Sequence, residues 1–353
     1  MINREIQRFA LLALLAAALF GASAPLSKRL LAGFGPLSLA AFLYLGSGLG
    51  LLAVWLLRRH RSRGVAKEAP LAGRDFMWLA GSVACGGIAA PVLLLWGLAG
   101  IPASGASLLL STEGVLTTLI SALAFREAVD GRVWAGAVLM LFAGGLLAYS
   151  PGAGVGLSVH ALAVVGACGL WGLDNNLTRP ISGGDPVVIA MVKGMVAGSV
   201  NLVLAHLAGE AGPSPAYAVA ALILGSLAYG ASLLFYILAL RHLGSARTAA
   251  HFATAPFIGA ILSVLLLGEP LTVPLLSAFG LMLVATWLVL TERHAHEHLH
   301  EPLEHAHRHV HDAHHQHPHD GSEGPEPHSH PHRHEALLHD HPHLPDLHHR
   351  HGH

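Results

Sequence analysis

Between residues 9 and 290 the chain runs through ten apolar stretches of 17 to 25 residues, separated by short polar connectors. A helix needs about 20 mainly apolar residues to cross a hydrocarbon core roughly 30 Å thick. Within lipid only a helix or a closed barrel satisfies its own backbone. The stretches are Phe9–Ser27, Pro36–Leu57, Phe76–Gly100, Ser104–Phe125, Val133–Tyr149, Leu157–Thr178, Pro186–Leu207, Tyr217–Leu240, Ser245–Leu267 and Pro274–Leu290. Turn signals stand between them, as in Gly33-Phe-Gly-Pro36, Ser150-Pro-Gly152, Gly183-Gly-Asp-Pro186 and Gly268-Glu-Pro270. Only 12% of residues are charged and 53% are hydrophobic, whereas soluble domains carry roughly 25% charged residues. The chain therefore reads as an all-α integral membrane protein whose first partner is the lipid bilayer. A net charge of −1 carries no information on acidic partners, because no basic face can be assigned; the expected partners are lipid and solute, not nucleic acid.

The N-terminus has the outline of a signal peptide: Arg4 and Arg8, an apolar run from Phe9 to Phe20, then Ala22-Ser23-Ala24. Pro25 follows the would-be cut and the apolar run extends through Leu26, so an uncleaved first span is favoured. Lys and Arg then set the orientation. With the N-terminus inside, the cytoplasmic connectors hold Arg58, Arg59, Arg61, Arg63, Lys67, Arg74, Arg126, Arg132, Arg179, Arg241, Arg247 and Arg293, and the other side only Lys28 and Arg29. Both termini are expected in the cytoplasm of a bacterial-style inner membrane, which requires an even number of spans. Cys85 and Cys168 lie in apolar stretches and read as packing residues.

The two halves of the membrane part resemble each other. Ser111-Thr-Glu-Gly114 precedes the Glu127 turn as Ala253-Thr-Ala-Pro256 precedes the Glu269 turn, and Gly21 to Lys28 lines up with Gly172 to Arg179. The halves are 1–150 and 151–291, with a tail at 292–353. Each half has five spans, an odd number, so the repeats run in opposite directions through the membrane, the plan of many secondary transporters. Glu127 and Glu269 occupy equivalent helix ends and are expected to accept from backbone amides at the start of the following helix.

On these residues, together with Trp171-Gly-Leu-Asp-Asn-Asn-Leu-Thr-Arg179, Leu267-Gly-Glu-Pro270, Phe125-Arg-Glu127, Gly136 and Gly144-Gly145, the chain resembles the drug/metabolite transporter superfamily, of the type built from two EamA domains. The resemblance covers residues 9 to 291. It implies a carrier of metabolites or drug-like solutes, often an exporter, and names no substrate. Gly114, preceded by Glu113, stands where the family usually has proline, and the family generally ends shortly after its tenth span.

Ionisable groups inside spans are costly, on the order of 2.5–3.5 kcal/mol at a helix centre, unless they face a cavity or a partner. Glu113, Lys193, Asp174 with Asn175 and Asn176, and His251 are the candidates. Glu113 suits a coupling carboxylate, Lys193 an anchor for an anionic group, Asp174 and Asn175 polar walls, and His251 a proton relay. The bland alternatives are a Glu113–Lys193 ion pair, a snorkelling Lys193, a helix-end Asp-Asn-Asn and a packing histidine. A basic residue near Lys193 is common in the family it resembles. No GxxxxGK[ST] loop and no nucleophile–base pair is found, so neither an ATPase nor another enzyme is expected, and no cofactor is required.

The tail holds 23 of the 28 histidines. They alternate with other residues at His294, His296, His298 and His300, at His305, His307, His309 and His311, at His328, His330, His332 and His334, and from His339 to His343. Lacking apolar periodicity, the segment is expected to be disordered. In an extended chain, residues two apart point the same way, so neighbouring imidazoles suit zinc, copper, nickel or cobalt. The reading is thus a gradient-coupled secondary carrier with a metal-binding tail, compatible with a homodimer. The alternatives are a divalent-metal transporter and a non-transporting membrane metal sensor.

Overall fold

The computed structural model describes residues 4–61, 73, 75–125, 131–149, 157–181, 185–243 and 245–291, and in the tail 295–300, 303–309, 328–334 and 337–342. Glu127, His294 and His311 lie outside the described residues. Ten helical columns fill the described membrane part. They are α1 (Arg4–Gly21 continued by Ser23–Leu30), α2 (Pro36–Arg61), α3 (Asp75–Ser82, a π-helical Val83–Ala89, then Ala90–Gly100), α4 (Ala103–Leu109 and Thr112–Phe125), α5 (Gly131–Ala148), α6 (Val159–Thr178), α7 (Pro186–Leu207), α8 (Pro215–Gly225, a π-helical Ser226–Ala231, then Ser232–Leu243), α9 (Ser245–Phe252 and Ala255–Leu267) and α10 (Val273–Leu290). Among the described residues nine columns are long and apolar enough to cross a membrane. The tenth, α6, is 20 residues long, and its hydropathy is lowered by Asp174-Asn175-Asn176. It is packed against α3 and α4 rather than left to lipid.

The packing is two-fold in pattern. Exchanging the halves carries α3 on α6 into α8 on α1, and α4 on α6 into α9 on α1, while α2–α7, α4–α9 and α5–α10 map onto themselves. The glycine contacts repeat the same relation. A Cβ on Gly172 would meet the Thr117 nitrogen at 3.0 Å, and one on Gly21 would meet the Gly259 nitrogen at 3.2 Å. With five columns each, the repeats are inverted.

The interruptions repeat too, and in α9 and α3 a proline supplies a local cause. In α9, Pro256 has no N–H to give to the turn before it, and the chain turns at Ala253 and Thr254. In α4 the turn falls at Leu110 and Ser111 without a proline. Equivalent threonines hold both: Thr254 Oγ1 donates to the His251 carbonyl at 2.6 Å and Thr112 Oγ1 to the Leu109 carbonyl at 2.7 Å. Gly114, the departure from the family pattern, therefore leaves the break in place. The π-segments of α3 and α8 are likewise at matching positions. In α3, Pro91 can donate neither to Gly87 four residues back nor to Gly86 five back. Side chains from other helices replace it, as membrane helices with internal prolines require. Tyr44 Oη and Trp171 Nε1 donate to the Gly86 carbonyl at 2.7 and 3.0 Å, and Asn201 Nδ2 to the Gly87 carbonyl at 3.2 Å.

Helix ends are tied across the halves. The Glu269 carboxylate accepts from the backbone nitrogens of Ala103 and Ser104, at 2.6 and 2.8 Å. These amides open α4, so the expectation that Glu269 serves the helix following it is corrected. That helix, α10, is capped by Thr272, whose hydroxyl accepts from Leu275 N at 3.3 Å. Glu210 does the same for α2, accepting from Leu37 N at 3.2 Å and Ser38 N at 2.8 Å. Both carboxylates face the unpaired amides and positive dipole end of a helix. The two cations at the far end of α1 are also used. Lys28 Nζ donates to the carbonyls of Leu98, Ala99 and Ile101 at 2.5, 3.0 and 3.0 Å, and Arg29 donates to that of Leu266. Glu269→Ala removes two charge-assisted bonds, each worth about 1.5–3 kcal/mol. It should lower the melting temperature of the detergent-purified protein by several degrees, and an unchanged melting curve would contradict this assignment.

In the tail, β1 (Ala295–His300) pairs antiparallel with β4 (Leu337–Pro342), and β2 (Leu303–His309) with β3 (His328–His334). Their period-two alternation, which offers no helical face, is the period of a strand.

Candidate functional site

Two linked polar groups sit among α2, α3, α4, α6, α7 and α8. The first is centred on Asp174, buried four residues before the end of α6. It forms an ion pair with Lys193 of α7 and accepts from Ser82 Oγ of α3 and from Thr178 Oγ1, the latter at 3.2 Å. The Ser82 and Thr178 hydroxyls are 3.0 Å apart. A Cβ on Gly86 would fall 1.9 Å from Asp174 Oδ2, so the carboxylate occupies the place a larger side chain would fill. This arrangement replaces the Glu113–Lys193 pair weighed from the sequence. It also leaves no snorkelling, because the Lys193 side chain is only 19% exposed.

The second group is centred on Glu113, in the first turn of the longer α4 segment. Asn175 Nδ2 donates to Glu113 Oε1 at 3.1 Å and lies 3.3 Å from Thr117 Oγ1. Asn176 turns the other way, donating to the carbonyls of Thr117 and Gly172 at 3.2 and 2.9 Å, which locks α6 to α4. The two groups meet on adjacent residues of α6, but among the described residues the cation pairs with Asp174 and the Glu113 carboxylate has an amide. Glu113 is half-buried and Asn175 exposed.

An aromatic row lies near this carboxylate. Tyr44 stacks at a tilt on Tyr229 (5.9 Å between centroids), Tyr229 meets Phe20 edge-on (5.9 Å), Phe20 meets Phe252 (5.4 Å) and Phe252 meets Tyr236 (5.0 Å). Tyr44 and Tyr236 are close enough to feel the Glu113 charge. The row joins α1, α2, α8 and α9, so it and the Glu113 group together draw on both halves. His251 does not join it. Its Nδ1 lies 2.6 Å from the Arg247 carbonyl of its own helix, and the neighbouring Phe252 enters the row instead. Sequence reasoning did not single out these tyrosines. A signal was available, since tyrosines of membrane helices favour the interfaces and Tyr44, Tyr229 and Tyr236 lie well inside their spans. Among the residues whose side chains are described, no group of three His, Cys, Asp or Glu could hold a metal ion.

Comparison with known proteins agrees with this architecture. The model of the EamA-like transporter family matches residues 7–149 and again 159–291. An uncharacterized transporter of Methanothermobacter thermautotrophicus is 28% identical over 268 residues, covering 72% of this chain and 78% of that protein. A solved crystal structure at 18% identity shares the fold with a TM-score of 0.58, over 80% of this chain and 95% of the other.

Proposed function

The chain belongs to the EamA-like transporter family, and we propose that this membrane transporter is a gradient-driven secondary carrier of small organic solutes bearing a positively charged amine, metabolite or drug-like. The observation that carries the reading is the Glu113 carboxylate, which lies within a span near Tyr236 of the aromatic row and is partnered by the Asn175 amide rather than by a cation. Ionisable side chains within spans mark substrate or ion paths. Aromatic faces attract cations by about 0.5–2 kcal/mol, most strongly when desolvated, so a carboxylate with flanking rings suits an ammonium group or a coupling proton. The Asp174–Lys193 pair lies toward the end of the bundle where α1 begins and α10 ends, tying α3, α6 and α7. Its pseudo-symmetric counterparts, Ser23 in α1 and Leu43 in α2, carry no charge, so the two ends are held unequally. The Lys and Arg distribution supports cytoplasmic termini in the cell's inner membrane, and export is the direction we assign. The tail adds metal chelation on the same side. A metal carrier is the weaker reading, because the described bundle offers no ligand cluster.

The test is flux in inside-out vesicles with an imposed pH gradient, run on a panel of organic amines, neutral amino acids, zinc and nickel. Wild type should move an organic amine, and Glu113→Gln should lower that flux at least tenfold while leaving the melting temperature within a few degrees. Gradient-driven zinc or nickel flux that depends on Glu113 would overturn the organic-solute reading.

A further inference from the structure

We propose that β2 and β3 form a cross-strand histidine ladder that binds a transition-metal cation of the zinc class, with His305, His307 and His309 opposite His332, His330 and His328. The inference rests on the metal-chelating tail assigned above and names its site. Its basis is the register: His305 pairs with His332, His307 with His330 and His309 with His328. Successive residues of a strand alternate between faces, so these six positions belong to one face of the ribbon. The other face has Glu304 opposite Arg333, Ala306 opposite Pro331 and Arg308 opposite Ser329. Directly opposed positions stand about 4.5–5.5 Å apart at Cβ, and next-but-one positions along a strand about 6.6–6.8 Å. Any two adjacent rungs thus place four imidazole-bearing positions around one point, the ligand number of a tetrahedral zinc site. The second ribbon repeats the pattern in smaller form, with His296 opposite His341 and His298 opposite His339.

The energetics point the same way. A two-stranded ribbon alone is marginal in water at best, and register is normally fixed by a buried hydrophobic face. Neither face of β2–β3 offers one: opposite pairs are histidine with histidine, charged and small residues, and at one end Leu303 with His334. Without a ligand, nothing in the sequence selects this register over a slipped one. A cation shared across the strands supplies both the missing free energy and the register, because binding to a site that exists only in the paired state is folding free energy. Imidazole ligation is compatible with zinc, nickel, cobalt and copper, with Cu²⁺ the strongest.

The experiment titrates zinc into the full-length protein, purified without a polyhistidine tag, and reads affinity by competition with a chromophoric chelator. One variant exchanges neighbours within β2: Ala306→His with His307→Ala. It keeps composition and histidine number but breaks the His-x-His spacing, so that in no register does β2 offer histidines to two adjacent rungs. The ladder requires its first zinc to bind at least tenfold more weakly. A cycle of His307→Ala, His330→Ala and both together should be non-additive, the second loss costing far less than the first. Equal zinc affinity of the exchanged and native chains, or additive losses at His307 and His330, would sink the ladder while leaving the tail a chelator. Absence of zinc binding by the native chain would remove both.

Discussion

Replacing Lys193 by Met should cost the protein most of its stability, and replacing Asp174 by Asn at the same time should restore much of it. Asp174 is buried, and Lys193 is its ionic partner from α7. Removing one member of a buried pair leaves an uncompensated charge and typically destabilises by about 3–5 kcal/mol, whereas replacing both members is often neutral. The Ser82 and Thr178 hydroxyls donate to the Asp174 carboxylate. After Asp174→Asn they can donate to the amide oxygen that takes its place, so the double variant retains the links between α3 and α6. Monodispersity on size exclusion and thermal unfolding in detergent report the stability. Single and double variants that both melt like wild type would show that the pair contributes nothing to folding. The double variant also separates two roles. If it folds and transports, the pair is structural; if it folds and does not transport, the charges are used in the cycle.

The fold was largely legible in the sequence because lipid imposes a strong pattern. The stretch Pro36–Leu57 became Pro36–Arg61, Pro186–Leu207 kept both ends, and Ser245–Leu267 did too apart from its interruption. Prolines and glycines mark these ends, and hydrocarbon thickness sets the length. The repeat was legible for a similar reason, since Thr112 and Thr254 hold the same break. Partner choice was not. Asp174, Lys193 and Glu113 each stood out as polar residues in apolar surroundings, but which carboxylate meets the lysine depends on how α6 and α7 are rotated. No periodicity encodes that. The π-segments were equally hidden. Pro91 announces a missing donor, yet only the packed bundle shows that Tyr44, Trp171 and Asn201 supply the replacements. Glu269 was recognised as a turn carboxylate and assigned to the nearer helix, because sequence proximity favoured α10 while the inverted repeat brings the start of α4 to it.

Gly194→Val should prevent the bundle from assembling, whereas Gly145→Val should be tolerated. Both glycines lie inside spanning helices, and sequence alone does not distinguish them. A Cβ at Gly145 meets nothing within 4 Å, and that position faces outward on α5. A Cβ at Gly194 would stand 2.8 Å from the Gly48 nitrogen and 2.9 Å from the Tyr44 carbonyl. These are backbone atoms of α2, which cannot rotate aside as a side chain can. The reverse contact is as tight, since a Cβ at Gly48 would meet the Met195 nitrogen at 2.8 Å. Small residues of this kind let membrane helices approach closely enough for dispersion and weak polar contacts to hold them. Overpacking typically costs about 1–3 kcal/mol, and a clash between two main chains belongs at or above the top of that range. The effect should also reach the site. Pushing α2 from α7 moves Tyr44, whose hydroxyl completes the Gly86 carbonyl and whose ring begins the aromatic row. The checks are yield and melting temperature in detergent, with wild type and Gly145→Val as references. Wild-type behaviour of Gly194→Val would mean that α2 and α7 are not in main-chain contact, and the aromatic row would then lose the scaffold that orients Tyr44.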